Sequence, residues 1–322
     1  MRQSDHFLLV SHVNPDGDAI ASLIAMALAL EKWGKRTTMY NESPIPAVYR
    51  FLPAVDRIVR RIETPSAYDA VVILDCSNIE RIGRLSADFG QFSLTVNIDH
   101  HLTNTGYGDF CHVDTAACST AEIVYRMIQM IGIALDREIA TAIYTGILTD
   151  TGSFRFANTN RTAFSICLDL MENGVDPYTV AQHVYGTYSI GRIKLLNLAL
   201  DSIEITEDGK LSFMMLTREM LEETGTQPED VDGMINYAKS IKDVKVAVLI
   251  QELFRSDTER DKNRFYVSLR SDGSVDVAAL ASSFGGGGHH RAAGFSAETS
   301  LADLKGGILA WIDNSERGIC RN

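Results

Sequence analysis

The chain has 322 residues, 45% of them hydrophobic and 22% charged, with a formal net charge of −12. That length passes the usual ceiling for one hydrophobic core and predicts two domains, and the ordinary globular composition excludes disorder and repeat arrays. The acidic balance excludes a long nucleic-acid footprint, which depends on Lys and Arg neutralising many phosphates.

Phe7-Leu8-Leu9-Val10 reads as a buried strand, Gly17 as a tight turn and 19–33 as a helix ending near Gly34, together a strand-loop-helix unit of α/β type. Further buried strands are expected at 37–40, 70–74 and 94–98, separated by segments that can hold helices, which favours a parallel sheet. Ser119-Thr120-Ala121-Glu122 is a capping-box pattern opening a helix through Ile131. A second helix is expected over 137–148, a third capped by Asn160 and running to Met171, and a polar helical connector over 177–200.

After about Ile203 the pattern changes. Two short strands flank the hairpin signal Asp208-Gly209, and a longer pair is expected at 244–254 and 264–270. The expected organisation is an N-terminal parallel-sheet α/β domain over 1–185, a helical linker over 186–202 and a smaller α+β domain over 203–322.

The four-residue apolar run at 7–10 is too short for a secretory signal, and 19–30 suits a buried helix better than a membrane span. Cys76, Cys111, Cys118, Cys167 and Cys320 show no C-x-x-C spacing, so neither a disulfide framework nor a zinc ribbon is expected. The expectation is a cytoplasmic protein with no membrane partner.

Three short segments carry the chemistry. His12, Asp16 and Asp18 leave one loop at the C-terminal end of the first strand, where open α/β sheets form ligand sites. Asp75 ends a later strand, Asp99-His100-His101 ends the next, and Asp150 follows a helical run. Singly, Pro15-Asp16-Gly17 is a turn, Asp75 a helix cap and the paired histidines a surface pair. Jointly, four carboxylates in one cleft repel unless cations offset them, and two divalent ions accept oxygen and imidazole ligands. Manganese suits the set, with magnesium or cobalt as substitutes. A pair of such ions roughly 3.5–4 Å apart activates a water and clamps phosphoryl oxygens, so the expected reaction is phosphoester hydrolysis without a covalent intermediate.

Near the C-terminus, Gly285 to Gly288 expose backbone N–H groups that form either an anion cradle or a flexible turn, with His289 following and Arg270 ending a nearby strand. Between 244 and 295 there are seven Lys or Arg against six acids, net +1, which leaves −13 for the remainder. Anion binding is therefore expected late in the chain. Arg155 either neutralises a phosphoryl oxygen or makes an ordinary ion pair, and His6, His112 and His183 carry no expected site role.

These segments resemble the DHH/DHHA1 phosphoesterases: the H-x-x-P-D-x-D pattern from His12 to Asp18, the lone Asp75, the triplet Asp99-His100-His101, Asp150, and Gly286-Gly287-Gly288-His289 followed by Ala292-Ala293-Gly294. The resemblance implies His12 and Asp16 on one metal, Asp18, His100 and Asp150 on the other, and Asp75 bridging both. It implies Asp99 orienting His100 or His101, and His101 facing the substrate phosphate. It also implies that Arg270, within Ser268-Leu269-Arg270-Ser271, and the glycine loop with His289 grip a substrate terminus, with the active site in the cleft between the domains.

The resemblance extends to one branch of that family, and it implies hydrolysis of very short RNA, chiefly dinucleotides, to mononucleotides, and removal of the 3′-phosphate of 3′-phosphoadenosine 5′-phosphate (pAp). Hydrolysis of linear or cyclic signalling dinucleotides is the enzymatic alternative, and a catalytically silent nucleotide-binding protein the non-enzymatic one. A homodimer is left open.

Overall fold

Strands buried on both faces need apolar residues at every position, and the Leu- and Val-rich runs of this chain meet that condition. The computed structural model describes residues 4–186, 188–231, 233–253 and 264–319. The chain divides into two units, Met1–Thr187 and Tyr188–Asn322. In the first, β1 (His6–Val10), β2 (Arg36–Tyr40), β3 (Ala70–Leu74), β4 (Thr95–Asp99) and β5 (Phe110–Val113) form a parallel sheet of order β2-β1-β3-β4-β5.

One face of this sheet, through Phe7, Leu9, Val72 and Leu74, packs on α1 (Gly17–Lys32) in a core that α2 (Thr120–Ile131), α3 (Arg137–Asp150), α4 (Arg161–Glu172) and α5 (Pro177–Tyr185) complete. The Ser119 hydroxyl accepts from Glu122 N–H at 3.2 Å and Asn160 caps α4, as the sequence patterns predict. The other face, through Leu8, Val10, Val71 and Ile73, packs on Ile82, Leu85 and Phe92.

The segments between β2, β3 and β4 differ from expectation: they carry 3-10 turns at 47–49, 55–57, 65–67 and 79–91, not α-helices. Pro44, Pro46, Pro53 and Pro65 break the first stretch, and Gly83, at φ 73°, breaks the second. Strand β5 was not expected either. It is a short, largely exposed edge strand without an apolar run, and such strands look like loops in a sequence.

The expected connector is two helices, α5 and α6 (Ile190–Asp201), and α6 buries Leu195 and Ala199 in a core of the second unit. That unit is built on β6 (Glu204–Ile205), β7 (Leu211–Leu216), β8 (Val246–Glu252), β9 (Arg264–Ser271), β10 (Gly287–His289) and β11 (Ala292–Glu298), in the order β10-β11-β9-β8-β7-β6. Among the described residues only the β7–β8 pair is parallel. The sheet's Val248, Val267, Leu269 and Phe295 pack on α9 (Val277–Ser283) and α10 (Leu301–Ile319), the latter through Leu304 and Ile308. On the opposite face α6, α7 (Arg218–Thr224) and α8 (Ile235–Lys239) cover Met214, Ala247 and Leu249. The end of the strand expected to reach Phe254 lies outside the described residues.

Among the described residues no helix is long and apolar enough to cross a membrane. Cys76, Cys111, Cys118 and Cys167 are free thiols, and Cys320 lies outside the described residues.

Candidate metal centre

Beyond β1 the chain turns through Asn14, whose φ of 53° is tied by its N–H to Ser43 Oγ at 2.8 Å. Asp16 then caps α1, accepting from Ala19 N–H at 3.0 Å. Its other oxygen lies 3.9 Å from His12 Nε2. His12 is buried, with Nδ1 2.9 Å from the Val13 carbonyl. A carbonyl only accepts, so the proton sits on Nδ1 and Nε2 is left as a lone-pair donor. His100 repeats the arrangement, with Nδ1 3.4 Å from the Ala117 carbonyl.

Asp75 stands between the two imidazoles. Its Oδ2 is 3.6 Å from His12 Nε2 and its Oδ1 3.7 Å from His100 Nε2. The residue is held in the left-handed region, φ 56°, by its own N–H donating to Ile98 O and by the Thr120 hydroxyl donating to Oδ1, both at 3.0 Å. Asp18, in the first turn of α1, accepts from the N–H groups of Thr120 and Ala121 at 2.7 and 2.9 Å, where the N-terminus of α2 favours negative charge. Asp150 ends α3 and accepts from Asn158 Nδ2 at 3.0 Å.

The result is two sets of donors, His12 with Asp16 and Asp75, and Asp18 with His100 and Asp150, the ligand atoms of each within 4.8 Å of one another. Asp75, Asp99 and His101 form a third such set. In the triplet, Asp99 Oδ1 accepts from His101 Nδ1 at 2.7 Å and from the His100 backbone N–H at 2.8 Å. Asp99 therefore orients the ring of His101, and accepts from His100 through the main chain.

The electrostatics call for cations. Burial, with the charges of Asp75, Asp150 and Asp16, pushes the Asp18 carboxyl well above the ordinary range despite the Ala121 N–H. Burial also acts to raise Asp75 and Asp99, but is outweighed. The imidazole of His12, with His101 and His100 beside it, holds Asp75 far below the ordinary range, and the His101 bond and charge lower Asp99. Hard carboxylate oxygens with imidazoles fit divalent ions of the manganese, magnesium or cobalt kind.

Several supporting residues went unnoticed in the sequence. Thr120 holds both Asp18 and Asp75, Asn104 Nδ2 donates to Asp99 Oδ2 at 2.6 Å, and Asn158 holds Asp150. Thr120 carried a faint signal as the residue after a cap. Gly146 leaves space for the cluster, since a Cβ there would lie 2.8 Å from Asp18 Oδ1 and 2.6 Å from Ala121 Cβ.

Arg155 follows a left-handed run, Gly152, Ser153 and Phe154 at φ 56°, 59° and 62°, and its Nε donates to Gly152 O at 2.7 Å.

In the second unit the glycine loop is ordered by capping. Gly285, at φ 78°, follows α9, with Gly285 N–H on Ser282 O and Gly286 N–H on Ala281 O, the paired bonds of a Schellman motif. Gly286 and Gly288 are required by close approach, because a Cβ would come within 2.2 Å of Gly294 O at the first and 2.5 Å of Ala292 O at the second. Gly287 has open space. Ala292 of β11 pairs with His289 on one side and Arg270 on the other, which puts Arg270 and His289 in one row of the sheet, on one face, about 10 Å apart. Of the other late cations, Arg255, Arg260 and Lys262 lie outside the described residues, and Arg264 pairs with Glu298 at 2.8 Å.

Comparison with known proteins agrees with this division. The DHH family, N-terminal domain, matches residues 6–147, and the DHHA1 domain matches 211–313. The bifunctional oligoribonuclease and PAP phosphatase NrnA of Thermus thermophilus is 30% identical over 286 residues, 89% of this chain and 82% of the relative. Its Bacillus subtilis namesake is 28% identical over 311 residues, 94% of each chain. A crystal structure of an exopolyphosphatase-related protein from Bacteroides fragilis superposes with a TM-score of 0.85 at 28% identity, covering 96% of this chain and 93% of that one.

Proposed function

The chain belongs to the DHH/DHHA1 family of phosphoesterases, and on that premise we propose that it hydrolyses very short oligoribonucleotides, dinucleotides above all, to mononucleotides, and pAp to AMP. The observation that carries the reading is Asp75, with one oxygen toward the His12 and Asp16 set and the other toward the Asp18, His100 and Asp150 set. Those residues would hold divalent ions, manganese being the best fit, and such ions would supply an activated water and neutralise phosphoryl charge.

The chain's own residues do the rest. Asp75 and Asp18 keep fixed orientations through Thr120 and the N-terminus of α2. Asp99 accepts the hydrogen bond from His101 Nδ1 and so orients the ring for contact with the substrate phosphate. In the second unit, Arg270 and His289 share a sheet face and hold a terminal phosphate or hydroxyl of the substrate, with Gly286, Gly287 and Gly288 admitting it closely. Arg155 is assigned a phosphoryl contact through its terminal guanidinium nitrogens. Free thiols and short-RNA substrates fit a cytoplasmic enzyme.

One parallel assay with manganese tests the reading: a dinucleotide, a five-nucleotide RNA, pAp, a cyclic dinucleotide and pyrophosphate. Dinucleotide and pAp should be turned over best. Preference for the cyclic dinucleotide or for pyrophosphate would replace this reading, and no turnover of any of them would favour a binding protein.

A further inference from the structure

Among the described residues, half of one sheet face in the second unit extends beyond the helices that cover the rest of it. Along β9, Phe265, Val267 and Leu269 are buried in the core that α9 and α10 complete, so Tyr266, Ser268 and Arg270 point the other way. On that side α6, α7 and α8 cover β7 and β8. Past β8 the face continues over β9, β11 and β10, where the residues are half-buried or exposed.

Its rows follow from the register. Ser268, Gly294 and Gly287 form one row, and Arg270, Ala292 and His289 the next. Small residues thus make a flat floor, with the two cationic or hydrogen-bonding side chains at one end. Tyr266, 38% exposed, supplies the other end. It lies over Gly294, where a Cβ would come 2.9 Å from its hydroxyl and 3.3 Å from its ring carbon Cζ. Gly294 and the Arg270 row are two residues apart along the strands, about 7 Å. That is the span from a nucleotide's phosphate to its base.

We infer that Tyr266 is a specificity-determining residue whose ring stacks on the nucleobase of a substrate end, while Arg270 and His289 take the phosphate of that nucleotide. The inference rests on the reading of the protein as a nucleotide hydrolase and adds what recognises the base. A ring face accepts any base, because stacking does not read hydrogen-bond patterns, so the enzyme requires a base without choosing among them.

The test is calorimetry of the full-length chain with AMP and with ribose 5-phosphate, in wild type, Tyr266→Phe and Tyr266→Ala. Wild type should bind AMP more tightly than ribose 5-phosphate. Tyr266→Ala should weaken AMP by roughly 5- to 150-fold, the usual cost of removing one base–aromatic stack. Its affinity for ribose 5-phosphate should not change, and Tyr266→Phe should match wild type. The fluorescence of 2-aminopurine riboside 5′-monophosphate should be quenched by wild type and Tyr266→Phe but not by Tyr266→Ala. Equal AMP affinity in wild type and Tyr266→Ala, or equal losses for both ligands, overturns the stacking role and leaves the hydrolase reading standing. A wild type that cleaves bis-p-nitrophenyl phosphate but neither binds AMP nor cleaves a dinucleotide overturns the hydrolase reading, and the stacking role with it.

Discussion

Asn104 donates its amide to Asp99 Oδ2 at 2.6 Å and, with the same nitrogen, to Asn97 Oδ1 at 2.8 Å. Asp99 is fully buried, so this bond satisfies the oxygen that His101 and His100 do not use. Asn104→Leu should leave that oxygen unpaired, at a cost of about 1–3 kcal/mol in stability. It should also loosen His101 and cut kcat roughly 10- to 100-fold, the usual effect of removing a partner that orients a site histidine. Thermal unfolding and steady-state kinetics check both. Unchanged kcat in a folded variant would show that Asp99 needs no second anchor.

Asp75→Asn keeps the Thr120 contact and the side-chain volume but removes the charge that faces both donor sets. Bound manganese should fall toward one ion or none per chain, and hydrolysis should be abolished. Elemental analysis of the dialysed variant decides it: wild-type metal content with wild-type turnover would remove Asp75 from the centre.

His100 faces Asp18, Asp75 and Asp150, whereas His101 is tied to Asp99. His100→Ala should therefore lose metal, and His101→Ala should keep most of its metal and lose turnover. Equal depletion in both variants would mean that both rings are ligands.

The raised carboxyl of Asp18 has a consequence for metal affinity. A proton retained by the metal-free protein above the ordinary carboxylate range must leave when a cation binds. Apparent affinity for manganese should thus rise with pH through that raised interval and flatten above it. Asp75, held far below the ordinary range, contributes no such dependence. Carbon-13 NMR of Asp-labelled, metal-free protein should show one carboxyl titrating above the others, its transition abolished by magnesium. If every carboxyl titrates within or below the ordinary range, the proton linkage is absent.

The sequence by itself determined whatever depends on residues near one another along the chain. Apolar runs placed β1, β3 and β4, and ligand-bearing residues directly after them marked the strand ends that carry His12, Asp75 and Asp99. The capping pattern at Ser119 located α2 to the residue, and Asp208-Gly209 located the hairpin of β6 and β7. Tertiary structure alone decided what depends on docking and register. The segments between β2 and β4, read as able to hold helices, carry 3-10 turns, because prolines and Gly83 break the pattern while Ile82 and Leu85 still cover the sheet. The close packing of α1 on α3 at Gly146 brings Asp18 beside Thr120, a contact 102 residues apart in sequence. Arg270 and His289 share a row through the antiparallel pairing of three strands. A shift of one residue in that register would have sent one of them to the buried face, and no local pattern records which register is adopted, because it is set by the burial of Val267, Leu269 and Phe295 on the far side of the sheet.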